Sequence, residues 1–242
     1  MRRLLLAAAL LAAPAGPAVA GFPVTRQMTC PIGGERFDFT TTASYTTFGA
    51  RPDGKPFGSW TFPLELPECP GNGLIVYQDT FEPAELTRLG ALIETPAYRA
   101  LRGGDTSYYR LSWLLREMGA PWEQVTWALI QATWQPADDS PLRARYLGEL
   151  AAAAAAKADA PTDLPGYGLR AYGINALREL GRFEEAGALL SRTPLAPLRP
   201  GGGLPGAEER ERSGWLEHFT KLEALLARRD RSADPAGFRQ RE

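Results

Sequence analysis

Leu115-Arg116-Glu117-Met118-Gly119 returns 62 residues later as Leu177-Arg178-Glu179-Leu180-Gly181, and each copy is followed within four residues by an aromatic and a glutamate, Trp122-Glu123 and Phe183-Glu184. Each copy closes an apolar stripe of helical period. Tyr108, Leu111, Leu115 and Met118 recur at spacings of three and four, and Gly119 ends the run. Leu169, Tyr172, Gly173, Ala176 and Leu180 do the same ahead of Gly181. Between them, Trp122, Val125 and Leu129 stripe one side of a helix and Trp127, Ile130 and Trp134 another, which places that helix between two neighbours. Ser140-Pro141 reads as a cap and first-turn proline opening a helix that continues through the alanines 151–156, small enough to let another backbone approach. Phe183, Ala186 and Leu190 mark a further helix.

On the N-terminal side of this helical stretch the period changes. Glu35 to Thr42 alternates and is rich in aromatic and β-branched residues, as a half-buried strand is. Ser59-Trp60-Thr61-Phe62 begins a second expected strand, Gly73 to Tyr77 a third, and Arg51-Pro52-Asp53-Gly54 a tight turn. Such a unit has little core of its own and needs a staple or a neighbour. On the C-terminal side, Leu195 to Gly206 is rich in proline and glycine and reads as a linker or long loop. Trp215, Phe219, Leu222 and Leu226 then stripe an amphipathic helix that covers the open end of the stack, and residues 231–242 are polar and expected to fray.

Met1-Arg2-Arg3, the apolar run Leu4 to Ala13 and the Ala18-Val19-Ala20 site together read as a secretion signal cut after Ala20. Ten apolar residues reach only about 15 Å as a helix, half of a ~30 Å hydrocarbon core, so no stable membrane anchor is expected. The mature chain, 21–242, carries 25 basic and 28 acidic residues. With no positive excess to hold a phosphate backbone, nucleic acid is not an expected partner. The expected location is bacterial, periplasmic or secreted.

Two cysteines lie in similar loops, Cys30-Pro31-Ile32-Gly33-Gly34 and Cys69-Pro70-Gly71-Asn72-Gly73. Each reads like a C-P-x-C-G zinc knuckle whose second cysteine is replaced, by Gly33 and by Asn72. The 62-residue echo is close to two units of the ~34-residue tetratricopeptide repeat, and Gly181-Arg182-Phe183-Glu184-Glu185-Ala186 looks like the turn and second-helix start of such a repeat. In this order the chain resembles a bacterial family with a zinc-ribbon-like head followed by tetratricopeptide-like helices, over residues 28–190. The resemblance implies architecture and no reaction. It would set Cys30 and Cys69 around one vanished metal, close enough to form a disulfide in an oxidising compartment. Two thiols cannot close a tetrahedral site, so no zinc and no other cofactor is expected.

The expected fold is therefore α+β and mostly α: a disulfide-stapled β head over 21–80, a tetratricopeptide-like stack of antiparallel helix pairs over 81–194, a linker over 195–206, the helix 207–230 and the tail 231–242.

Catalytic patterns are poorly matched. Gly49 to Pro56 approaches a phosphate-binding loop, but Pro52 deletes an amide and Pro56 stands where a hydroxyl is needed. His218, the one histidine, falls between the striped positions of its helix, and neither cysteine has a histidine nearby in sequence. Asp138-Asp139 suits a helix N-terminus. Trp113, Trp122, Trp127 and Trp134 fall within 22 residues and are either core or the lining of a partner groove. The leading expectation is a non-enzymatic envelope protein binding a protein or peptide; the alternative is a hydrolase or carbohydrate-active protein using carboxylates beside the tryptophans. A polar cleft holding two acids near the tryptophans favours the latter, a smooth concave face the former.

Overall fold

The computed structural model describes residues 21–157, 160–200, 206–236 and 238; the expected leader and its cleavage site lie outside them. The fold is α+β and mostly α. Strands β1 (Pro23–Thr29) and β2 (Arg36–Thr42) form one antiparallel ribbon with Pro23 opposite Thr42 and Thr29 opposite Arg36. Strands β3 (Thr47–Ala50) and β4 (Pro56–Gly58) form a second. Eight α-helices follow among the described residues: α1 (Pro83–Ile93), α2 (Pro96–Gly104), α3 (Ser107–Met118), α4 (Trp122–Trp134), α5 (Pro141–Ala156), α6 (Leu164–Glu179), α7 (Phe183–Ser191) and α8 (Ala207–Ala227). None of them is long and apolar enough to cross a membrane.

The echo resolves into a shared way of ending a helix. Gly119 and Gly181 both stand in the left-handed region, at φ 76° and 77°, where a side chain is disfavoured. The amides of Gly119 and Ala120 reach back to the carbonyls of Arg116 and Leu115, and those of Gly181 and Arg182 to Arg178 and Leu177. These paired bonds satisfy the last carbonyls of α3 and α6 in the same manner and turn the chain into α4 and α7. The middle of the echo diverges: Arg116 and Glu117 are exposed, whereas Arg178 and Glu179 are buried.

Consecutive helices pack side by side, α3 on α4, α4 on α5, α5 on α6 and α6 on α7, as short connections require. The alanine run matters at the α5–α6 contact. Ala151 and Ala154 are buried, and a Cβ on Gly173 would stand 2.2 Å from that of Ala154, so the backbones meet where neither side chain takes up space. Ser140 caps α5 through the Leu142 amide, with Pro141 in the first turn, as expected. Helix α8 lies on α6 and α7 and buries Phe219, Leu222 and Leu225.

Three local expectations differ from the structure. Residues 59–62 are not a strand. β4 ends at Gly58, after which Ser59 exchanges two last bonds with Thr46, its amide donating to the Thr46 carbonyl and its Oγ accepting from the Thr46 amide, and β3 begins only at Thr47, so residues 60–62 have no facing strand to pair with. Gly73–Tyr77 makes only an isolated bridge, Ile75 with Glu68, because the facing segment carries Pro67, which has no amide to donate. The start of the tail, expected to be free, is seated on α6. Arg178 donates to the carbonyls of Asp230 and Ser232 (2.6 and 2.9 Å), and Pro235 and Phe238 are buried.

Cys30 and Cys69, both buried, are joined by a disulfide, with Cα atoms 5.6 Å apart. The two loops close alike. Gly34 donates to the Cys30 carbonyl and Cys30 to that of Glu35; Gly73 donates to the Cys69 carbonyl and Cys69 to that of Leu74. Asn72 crosses between them, donating to the Ile32 carbonyl at 2.9 Å, and a Cβ on Gly33 would lie 3.9 Å from its Nδ2. Gly33 and Asn72 thus face one another beside the cystine. Among the described residues no group of three or more His, Cys, Asp or Glu could hold a metal ion.

Candidate functional site

The Arg51-Pro52-Asp53-Gly54 turn between β3 and β4 carries a charge into the helices. Asp53 is 4% exposed. Its carboxylate accepts from Arg51 at 3.1 Å and from Arg143 of α5 at 3.0 Å. Arg143, 2% exposed, also donates to the Thr133 carbonyl and to Glu179 of α6. Glu179 in turn accepts from Asn175, whose own oxygen accepts from Arg178. One connected set of buried charges therefore joins the β3–β4 turn, α5, α6 and the segment after α8. Burial pushes the Asp53 carboxyl up from its ordinary range, while Arg51 and Arg143 pull it back.

This set positions an aromatic surface. Trp134, at the end of α4, is 4% exposed and donates its indole N–H to the Asp53 carbonyl at 3.1 Å. Trp127, two turns earlier, packs edge-on against Trp134 with centroids 5.7 Å apart, yet leaves 49% of itself to solvent. Beside it a groove of about 400 Å³ runs between α4, α6 and α8, walled by Trp122, Trp127, Leu164, Pro165 and Trp215, with Glu123 and Glu211 at its edges. Trp215 lies against the backbone of Gly168, where a Cβ would come within 3.1 Å of the indole. The Lys157 ammonium sits 3.5 Å from the Trp122 ring centre.

Past Trp215 and Tyr172 a second cavity of about 530 Å³ opens between the β3–β4 turn and α8, lined by Arg51, His218, Lys221 and Phe238 among others. Tyr172 stands over Gly54, and burial pushes its hydroxyl up to about 12, with the Asp53 charge adding to the rise. His218 is set edge-on among Tyr172, Trp215 and Phe238, and its Nε2 is buried without a hydrogen-bond partner. Burial chiefly, and the neighbouring Lys221 charge, push the imidazole down to about 4, against the pull of the Pro52 carbonyl and Glu217.

A pH dependence follows from that ring. Between its ordinary value of 6.5 and about 4, the unfolded chain takes up a proton that the folded chain refuses, so stability falls as pH falls through this window. The ring is half-buried, and the loss is expected to reach about 1–3 kcal/mol by pH 4. Replacing His218 by Gln should remove that part of the acid sensitivity. Urea midpoints measured from pH 8 to pH 4 check it, and parallel profiles for the two proteins would contradict it.

The four tryptophans, read as core or as the lining of a partner groove, divide between the two. Trp122 and Trp127 line the groove. Trp134 is core, and Trp113 packs on Tyr98 of α2, with centroids 5.8 Å apart. Trp215 and Tyr172 complete the groove; sequence reasoning placed both only on helix stripes. The echo carried the Trp122-Glu123 pair, but nothing in the linear order brings Glu211 opposite Glu123. No protein-family model, curated protein or solved structure matches this chain.

Proposed function

We propose that this chain is an exported, non-enzymatic protein of the bacterial envelope, with a degenerate zinc-ribbon head on tetratricopeptide-like helix pairs, that binds a protein or peptide partner in the groove between α4, α6 and α8. The exposed Trp127 carries this reading. Large aromatic side chains held rigid beside a cleft are the anchors on which binding surfaces concentrate their energy, and Trp127 is held by Trp134, which the β3–β4 turn holds in turn. The matched helix endings at Gly119 and Gly181 support the repeat-like stack, and the facing of Gly33 and Asn72 supports the degenerate knuckle. The cystine suits export into an oxidising compartment.

A carbohydrate-active reading draws support from one observation, the two acids Glu123 and Glu211 in the same tryptophan-lined groove. Both side chains are exposed to solvent.

A photo-crosslinking amino acid placed at exposed position 165 on the groove wall, which leaves Trp127 in place, separates the readings, with exposed Arg116 as the control position. Expected is a discrete protein adduct from 165 in the exported material, absent from 116, and weakened at least tenfold when Trp127 is alanine, about 1.4 kcal/mol or more for an anchor of this kind. No adduct from 165, together with release of sugar from cell-wall polysaccharide that Glu123→Gln/Glu211→Gln abolishes, would transfer the assignment to the carbohydrate-active reading.

A further inference from the structure

The chemistry of the groove narrows its ligand, given the binding role proposed above. The charged residues of its lining are both acids, Glu123 from the first turn of α4 and Glu211 from α8, and the cation beside them is Lys157, seated on the Trp122 ring. Three indoles, with Leu164, Pro165 and Tyr172, form its walls. Carboxylates accept hydrogen bonds only, whereas ammonium and guanidinium groups donate only. Indole faces attract cations through the ring quadrupole, and their apolar surface accommodates the methylene stem behind the charge.

A sugar ring fits these walls less well. Its hydroxyl oxygens need donors as well as acceptors, and the lining side chains that can donate are limited to the Thr126 and Tyr172 hydroxyls and the indole N–H groups. The protein already shows the favoured contact once, in the Lys157 ammonium seated on Trp122. The second cavity differs in charge, since Arg51 and Lys221 face Glu211 and Glu217 there. The acidic, donor-seeking character is therefore confined to the tryptophan end.

We propose that the groove captures an arginine or lysine side chain of an extended peptide segment, its stem between Trp127 and Trp215 and its cation against Glu123 and Glu211. The partner is thus a protein that presents a basic residue flanked by apolar ones.

The test uses the mature chain with indole ¹⁵N labelling and four capped pentapeptides, Ala-Leu-X-Leu-Ala with X as Arg, Lys, Gln or Glu. The Arg and Lys peptides should shift the indole resonances of Trp127 and Trp215 and bind about tenfold tighter than the Gln peptide, with the Glu peptide weakest. Raising the salt to about 0.5 M should erase most of that preference. Glu123→Gln/Glu211→Gln should bring the Arg and Gln peptides level while leaving the circular dichroism and unfolding midpoint unchanged, since both side chains are exposed. Equal binding of Arg and Gln peptides to the unaltered protein would overturn the cation assignment and leave the peptide groove standing. Indole shifts from a cell-wall oligosaccharide with none from any peptide, or no shifts from either, would overturn both.

Discussion

Replacing Arg143 with alanine is expected to destabilise the folded protein by about 3–5 kcal/mol, because two buried carboxylates, Asp53 and Glu179, lose their shared cation. Neither can turn to water: Asp53 is 4% and Glu179 7% exposed. Asp53, whose carboxyl burial already pushes above its ordinary range, loses the pull of Arg143 in the variant and should be held higher still, above the unfolded value. Such a group is least costly below its unfolded pKa, and the cost grows as pH rises through the folded one, so the deficit should be larger at pH 8 than at pH 5. The variant should also lose protection selectively in the β3–β4 turn, which reaches α5 and α6 through Asp53. Replacing all three together, Arg143→Met with Asp53→Asn and Glu179→Gln, should recover much of the loss, since the cost lies in unpaired charge and not in the pair's net attraction. Urea unfolding at the two pH values, with hydrogen exchange on residues 47–58, measures all of this. A single-variant deficit below about 1 kcal/mol would show that water reaches the cluster.

Removing the cystine, as Cys30→Ala/Cys69→Ala, is expected to cost about 4 kcal/mol by the chain-entropy estimate for residues 39 apart. The damage should be uneven. The second loop has its own ties to the helices: Tyr98 donates to the Gly73 carbonyl at 2.7 Å, Arg102 to those of Pro70 and Gly71, and Arg110 pairs with Glu68. The β3–β4 turn is fixed by the Asp53 cluster. Among the described residues the β1–β2 ribbon shows fewer ties to the helices: Phe37 packs on the core, and the first loop reaches the second through the cystine, through Asn72, through the Gly71 amide donating to the Glu35 carboxylate at 2.7 Å and through packing by Ile32. Hydrogen exchange in the double variant should therefore rise over residues 22–43 and change little over 69–76 and 47–58. Equal loosening of all three stretches would mean that the head behaves as one unit, as the sequence alone suggests.

Periodic and local features were legible in the sequence because they are set by short-range chemistry. The stripes through α3, α4 and α6 follow from helical geometry. The Ser140-Pro141 start follows from capping. The glycines at 119 and 181 follow from the cost of a left-handed residue that carries a side chain. The short strands were misplaced because a strand is defined by its partner. Residues 59–62 have β character and no ladder to join, while Thr47–Ala50, less distinctive in sequence, has one.

The sequence by itself determined that the chain is mostly helical behind a small β head, where α3 and α6 stop and α5 starts, and that its two cysteines sit in matching loops. Tertiary structure alone decided that Arg178 and Glu179 are buried while their echoes Arg116 and Glu117 are exposed, since only α6 has α5 and the segment after α8 on either side of it. It also decided which tryptophans meet solvent, and it brought Glu211 and Trp215 across from Glu123 and Trp127, nearly ninety residues away. Caps and stripes arise from backbone geometry within a few residues and leave a trace in linear order. Burial of a charge and the lining of a groove arise from which helix faces pack together, which short-range spacing does not encode.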